Sequence, residues 1–209
     1  MPSDSTCETS SGGSPLRDGM RFFGRFLSSP GSVGAILPSS RYLADAMVRD
    51  LSLAEGDLVV EYGPGTGPMT LAIQKLGLAS RGIHYLGIEL DEGFHAALQT
   101  RFPEMAFALG SVVDVAQLLE DRGYSKVKAI ISGLPFASLP VGVQEGIVEG
   151  TNRVLADDGE FRTFQYLHAY GLPTARRFRA MMADRFTGFH RSAPVLRNVP
   201  PAYILSYHK

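Results

Sequence analysis

The residues with the plainest chemical purpose are Glu61-Tyr62-Gly63-Pro64-Gly65-Thr66-Gly67. An apolar stretch, Leu58–Tyr62, leads into them, and a helix-like stretch follows from Pro68. Glycines at alternate positions let the backbone turn sharply and approach a ligand with no Cβ in the way. The spacing is Gly-x-Gly-x-Gly, whereas a dinucleotide fingerprint runs Gly-x-Gly-x-x-Gly and serves a pyrophosphate. The loop therefore suits a nucleoside without a phosphate bridge. Glu89 lies 22 residues beyond Gly67, at the end of a second apolar stretch. A carboxylate there can accept hydrogen bonds from both hydroxyls of a ribose. Leu90 follows it, Gly110-Ser111-Val112 end a third stretch, and Ser132 ends a fourth. In open α/β sheets ligands bind at the carboxyl ends of strands, where all of these residues fall. Glu61, Gly63, Gly65, Gly67, Glu89, Leu90, Gly110, Ser111, Val112 and Ser132 are the candidate nucleoside-binding set.

The elements that position them alternate. Strands are expected at Leu58–Tyr62, Tyr85–Leu90, Met105–Leu109, Val127–Ser132 and Glu160–Tyr166. Helices are expected over Pro68–Leu76, around Phe94, Leu98 and Phe102, over Val112–Leu119 and Val141–Leu155, and from Pro173 to Met182. Two closing strands, Phe186–Arg191 and Tyr203–Tyr207, leave no room for a helical crossover, so they should pair antiparallel. The pattern is α/β: a doubly wound, seven-stranded, mostly parallel, Rossmann-like sheet with an antiparallel C-terminal strand. With the loop Glu61–Gly67, it resembles the class I S-adenosylmethionine-dependent methyltransferases. The resemblance implies S-adenosylmethionine as methyl donor and S-adenosylhomocysteine as product.

Bulk properties narrow the options. The 209 residues suffice for one α/β domain with a full core. A net charge of −1 argues against a nucleic-acid partner. Cys7 is the single cysteine and the five histidines are scattered, so neither a disulfide nor a metal site is expected. The N-terminus is polar, without the apolar centre of a signal peptide, and no apolar run reaches the roughly 18 residues of a membrane span. A reducing, cytoplasmic setting fits. The charge is unevenly spread: residues 161–209 hold eight Lys/Arg against Asp184 alone. That is either a solvated face or a surface for phosphate or anionic membrane.

Three segments are expected: a disordered Ser/Thr/Gly-rich tail at 1–15, an N-terminal helical segment at 16–54, and the methyltransferase domain at 55–209. Within 16–29, Leu16, Met20, Phe23 and Leu27 mark an apolar stripe, widened by Phe22 and Phe26. Arg17, Arg21 and Arg25 recur every four residues on another face. This is a short basic amphipathic helix, packed on its own domain or lying on anionic lipid. A second helix begins after Pro38-Ser39-Ser40, with a serine as N-cap and Leu43, Ala44, Met47, Val48 and Leu51 on one face.

After the fourth strand comes Ser132-Gly133-Leu134-Pro135-Phe136. In the ribosomal RNA adenine dimethyltransferases the matching stretch is Asn-Leu-Pro-Tyr or Asn-Ile-Pro-Tyr, whose asparagine holds the adenine amine. Gly133 stands in its place, which argues against adenine as acceptor. The chain resembles more closely the soluble bacterial phospholipid N-methyltransferases, over about residues 22–209. The segments concerned are Phe-Leu-Ser-Ser-Pro-Gly-Ser-Val-Gly-Ala-Ile-Leu-Pro-Ser-Ser at 26–40, the glycine loop, residues 132–136, and Asn-Val-Pro-Pro-Ala-Tyr at 198–203. That family usually ends its fifth strand with Gln-Phe-Thr-Tyr; here the order is Thr163-Phe164-Gln165-Tyr166.

The resemblance implies stepwise N-methylation of phosphatidylethanolamine towards phosphatidylcholine, on the inner face of the membrane. The basic helix would then supply docking through Arg17, Arg21, Phe22, Phe23, Arg25 and Phe26. An alkyl ammonium, with a pKa of roughly 10, must lose a proton before it attacks a sulfonium methyl. Tyr166, His168 and Tyr170 are candidates to accept or relay that proton, and the Leu134 carbonyl to orient the amine. Tyr42, Pro135, Phe136, Gln165 and Tyr170 complete the expected acceptor pocket, with Tyr42 closing over the cofactor from the N-terminal helix. The rival readings are an RNA or small-molecule methyltransferase on the same fold, and a membrane-binding protein without catalysis. Oligomeric state is left open.

Overall fold

A computed structural model of the chain describes residues 39–209. The tail expected at 1–15, the basic helix at 16–29 and the segment 31–38 lie outside the described residues. The seven strands are β1 (Leu58–Tyr62), β2 (His84–Glu89), β3 (Phe107–Leu109), β4 (Val127–Ser132), β5 (Leu155–Tyr166), β6 (Gly188–Arg191) and β7 (Ala202–His208). The helices are α1 (Arg41–Val48), α2 (Pro68–Gln74), α3 (Glu92–Arg101), α4 (Val115–Glu120), α5 (Val141–Val154) and α6 (Pro173–Ala183).

The strands form one sheet in the order β3-β2-β1-β4-β5-β7-β6. Pairings among β1 to β5 are parallel; β7 is antiparallel to both β5 and β6. The closing pair is thus antiparallel, with β7 inserted beside β5. The interior strand β1 is buried at every residue, as expected of a parallel strand covered on both faces. Its alternation divides the core. Leu58, Val60 and Tyr62 join the side with α4, α5 and α6, while Val59 joins the side with α1 and α2.

Several boundaries differ from expectation. β5 begins at Leu155, directly after α5, rather than at Glu160. β3 is only three residues long. The helix expected over Val112–Leu119 divides into a 3-10 turn, Val112–Asp114, and α4. Ser111 caps that turn, its hydroxyl accepting from the Val113 N–H at 3.2 Å.

Helix α1 is clamped at both ends by the far side of the sheet. Ser40 is the N-cap, its Oγ accepting from the Leu43 N–H at 3.2 Å. The Ser40 N–H donates to Asn198 Oδ1 at 2.9 Å. At the other end, Arg162 of β5 donates to the Met47 carbonyl at 3.2 Å and to that of Arg49. A guanidinium there satisfies carbonyls left over by the helix and complements its dipole. Between the clamps, Leu43, Ala44, Met47 and Val48 are buried against the sheet, in the helical rhythm legible from the sequence. No described helix is long and apolar enough to cross a membrane.

Candidate functional site

The ends of four strands meet at the carboxyl edge of the sheet, because the backbone ladder continues past them. The Gly63 N–H donates to the Ile88 carbonyl at 3.0 Å, the Gly110 N–H to that of Glu89 at 2.8 Å, and the Gly133 N–H to that of Tyr62 at 2.9 Å. The structure therefore brings together the glycine loop, Glu89, Gly110-Ser111 and Ser132-Gly133.

Gly63, Gly65 and Gly67 all have positive φ, at 64°, 57° and 82°. They are not equivalent. A Cβ on Gly63 would stand 2.6 Å from Leu134 Cδ2, and one on Gly67 would stand 2.7 Å from Phe102 Cε2. A Cβ on Gly65 would meet nothing within 4 Å. Two of the glycines thus permit close packing, while the middle one faces open space, as required where a ligand approaches backbone.

The two acids differ as well. Glu89 accepts the Gly65 N–H on Oε2 at 2.9 Å, and the Leu90 and Asp91 N–H groups on Oε1 at 2.8 and 2.9 Å. Burial raises its pKa, and those backbone donors work against the rise. Three of the roughly four acceptor positions of a carboxylate are filled, which leaves Oε2 the freer oxygen for a ribose hydroxyl. Glu61 is buried, and its Oε2 accepts from Tyr85 at 2.6 Å and Thr70 at 2.9 Å. Burial pushes its pKa up to about 7, against the two hydroxyl bonds. Glu61 therefore braces the floor of the loop. Thr70 and Tyr85, which hold it, lie 9 and 24 residues away with no motif to flag them.

On the expected acceptor side, Leu134 is buried and its N–H donates to Ser132 Oγ at 3.3 Å. Its carbonyl accepts the Phe136 N–H at 3.0 Å and keeps a second lone pair. Pro135, half-buried, precedes the 3-10 turn Phe136–Ser138. The Phe136 ring is buried, stacked on Phe178 of α6 at 4.2 Å and edge-on to Phe161, so it packs in the core rather than lining an acceptor pocket. Gln165 is likewise spent: Oε1 accepts from Arg179 at 2.6 Å, and Nε2 donates to the Ala175 carbonyl at 3.4 Å. Its place on the α6 face follows from the alternation of β5.

Tyr166 and His168 stack with centroids 5.7 Å apart, His168 exposed and Tyr166 half-buried. Burial raises the Tyr166 pKa. Tyr170 lies under Arg179, whose guanidinium is 3.8 Å from the ring centroid. Tyr42 contacts Arg41 and Arg197, at 4.8 and 4.9 Å from its ring, towards the β6–β7 connection and not in any described contact with the glycine loop. Among the described residues no cluster of His, Cys, Asp and Glu could hold a metal.

No protein-family model matches the chain. It is 29% identical over 190 residues to an ornithine lipid N-methyltransferase of Singulisphaera acidiphila, covering 90% of this chain and 94% of that protein. A ribosomal RNA small subunit methyltransferase A of Streptomyces griseus is 34% identical over 100 residues, only 46% of this chain and 33% of that protein. Among solved structures, a TehB-like S-adenosylmethionine-dependent methyltransferase from Corynebacterium glutamicum superposes with TM-score 0.58 at 14% identity, over 92% of this chain and 98% of its own. A spermidine synthase superposes with TM-score 0.62 at 10% identity, over 81% of this chain and 61% of its own. Sheet order, glycine loop and these superpositions give the chain the fold of the class I S-adenosylmethionine-dependent methyltransferases, and over nearly its full length it is similar to a lipid N-methyltransferase.

Proposed function

We propose that the chain methylates the amine of a membrane aminolipid, either phosphatidylethanolamine on the way to phosphatidylcholine or an ornithine lipid. The observation that carries this reading is the similarity to a lipid N-methyltransferase along 90% of the chain, where the RNA-modifying relative matches less than half. Gly133 supports it. A Cβ there would stand 3.0 Å from the Gly63 carbonyl oxygen and 3.6 Å from that of Tyr62, so an asparagine for gripping adenine would need the loops to part.

Bound S-adenosylmethionine supplies an electrophilic sulfonium methyl. The Gly65 backbone and the Glu89 carboxylate would hold it, and the open space over Gly65 fits that role. The free lone pair of the Leu134 carbonyl would accept an N–H of the acceptor amine and so aim its nitrogen. Tyr166 and His168, at the end of β5, would pass the ammonium proton towards water, where exposed His168 lies. Positioning carries most of the rate, since reactants held in line need no further group.

The reaction takes place at a membrane, and the rim of the site has the right surface. Leu167 and Leu172 follow β5 and are 40% and 48% exposed; Leu196 and Val199 precede β7 and are 69% and 70% exposed. The two connections are tied by the Leu167 N–H donating to the Pro201 carbonyl at 2.8 Å. Arg197 and Arg41 stand beside them around Tyr42. Exposed apolar side chains among cations suit the inner, anionic leaflet. The basic helix at 16–29 would add to this attachment and place the enzyme peripherally on the cytoplasmic side.

The test is incubation with labelled methyl donor and purified phosphatidylethanolamine, ornithine lipid or ribosomal RNA, followed by separation of products. Label in either lipid is the expected result, and label confined to RNA overturns the reading.

A further inference from the structure

We propose that Arg179 and Arg191, gathered on the rings of Tyr170 and Tyr203, form a shelf that binds the oxyanion of the acceptor headgroup. That oxyanion is the phosphodiester of an aminophospholipid or the carboxylate of an ornithine lipid. The inference rests on the aminolipid reading and names how the acceptor is recognised.

Sheet register builds the shelf. Gln165 of β5 lies opposite Tyr203 of β7, and Arg191 of β6 lies opposite Leu205, two residues further along β7. These side chains share the face that α6 covers. From α6, Arg179 donates through Nη1 to Gln165 Oε1 at 2.6 Å and to the Tyr170 carbonyl at 2.9 Å. Its guanidinium lies 3.8 Å from the Tyr170 centroid. Arg191 approaches the same ring at 5.2 Å and Tyr203 at 4.7 Å, and the two tyrosines meet edge-on at 5.0 Å.

Two cations are thus held about one ring. Among the described residues neither has a carboxylate within 4.0 Å, and the ion pairs present all involve other residues. Like charges this close repel, and the aromatic faces offset only part of that. A bound oxyanion would offset the rest. The donors for it remain free: Arg179 has five N–H groups and engages only those of Nη1, while the side chain of exposed Arg191 makes no hydrogen bond among the described residues. A guanidinium fork matches both phosphate and carboxylate. Buried Tyr207 on the same face adds a hydroxyl with no hydrogen-bond partner among the described residues.

The shelf also lies where the acceptor needs it. Phe178, next to Arg179 on α6, stacks on Phe136, two residues after Leu134. An amphiphile whose amine reaches the Leu134 carbonyl would carry its oxyanion a few carbons away. The shelf would therefore select amines that bear a nearby negative charge over simple amines.

The test is titration of the full chain, with S-adenosylhomocysteine present, against three short-chain probes: dihexanoyl phosphatidylethanolamine, N-hexanoyl ornithine, and N-hexanoyl ornithine amide, which lacks the anion. The wild type is expected to prefer at least one anionic probe over the amide. Arg191→Gln should weaken that probe about tenfold and leave the amide, S-adenosylhomocysteine affinity and melting temperature unchanged. Which anionic probe responds tells phosphodiester from carboxylate. Arg179→Lys, whose Nη1 contacts also hold Gln165 and Tyr170, is read only alongside its melting curve. Equal affinity of wild type and Arg191→Gln for both anionic probes overturns the shelf, as does a wild type that binds all three alike or none of them. The outcomes stay separate from those of the methylation assay. If lipid is methylated but Arg191 does not matter, the shelf alone falls. If Arg191 governs oxyanion binding but no lipid is methylated, the catalytic reading alone falls.

Discussion

The carboxyl ends of β1 and β2 and the corner made by β5, α6 and β7 are built on opposite electrostatic plans. At the first, Glu61 and Glu89 lie buried among backbone N–H groups and hydroxyls, and the shape comes from three glycines at positive φ. At the second, Arg179 and Arg191 stack on tyrosines with no described carboxylate within 4.0 Å. The first suits a ligand with hydroxyls and a cationic sulfonium; the second suits an amphiphile that carries an oxyanion. On the proposed reading, one sheet edge would hold two dissimilar substrates without exchanging them. Each half also demands a different kind of construction. In the first the glycine turn is written in consecutive residues, although Glu61 and Glu89 are held by neighbouring elements, whereas the second exists only where three elements meet.

The sharpest way to break the contrast is Gly65→Val. No atom lies within 4 Å of the new Cβ, so the fold should survive with a cost of about 1–2 kcal/mol for the left-handed backbone. Donor binding should disappear in calorimetry, because the side chain fills the open space over the loop. Gly63→Val should behave differently, lowering the melting temperature sharply through its 2.6 Å clash with Leu134. If both variants bind donor normally, the loop is only a turn.

Glu89→Ala comes next. Losing charge-assisted hydrogen bonds should weaken donor binding by roughly 1.5–3 kcal/mol, while the short-chain lipid probes bind as before. A matched loss on both sides would show that the two halves are not separate.

Glu61 sharpens the first half through pH. Its carboxyl is raised from 4.5 to about 7 in the folded chain, mainly by burial. The unfolded chain releases that proton near 4.5, so folding is favoured most below this value. Stability then falls as pH rises towards about 7, by up to about 3 kcal/mol. Glu61→Gln lacks this titration. Its melting temperature, measured without donor, should gain on the wild type across that window. A gap that does not change with pH would place the Glu61 pKa elsewhere.

The smallest effect is expected at the rim. Leu196→Ser together with Val199→Ser should weaken co-sedimentation with phosphatidylglycerol vesicles several-fold and leave donor affinity unchanged. Undiminished sedimentation would remove the rim from membrane attachment.

Much of the first half was legible in the chain. Alternating apolar runs mark the strands, and glycine spacing marks a turn that only glycine backbones can make, because these are properties of neighbours in sequence. The Ser40 cap and the buried face of α1 were readable for the same reason. Phe136 and Gln165 show where such reading stops. Both types fit an acceptor pocket, yet one is taken by Phe178 and the other by Arg179, 42 and 14 residues away. Arg162 and Asn198 carried no motif for their work, because a helix 113 to 158 residues distant decides it. A side chain's type and its strand's alternation limit what it can touch; which partner reaches it first is set by the docking of α1 and α6 and by the insertion of β7 beside β5.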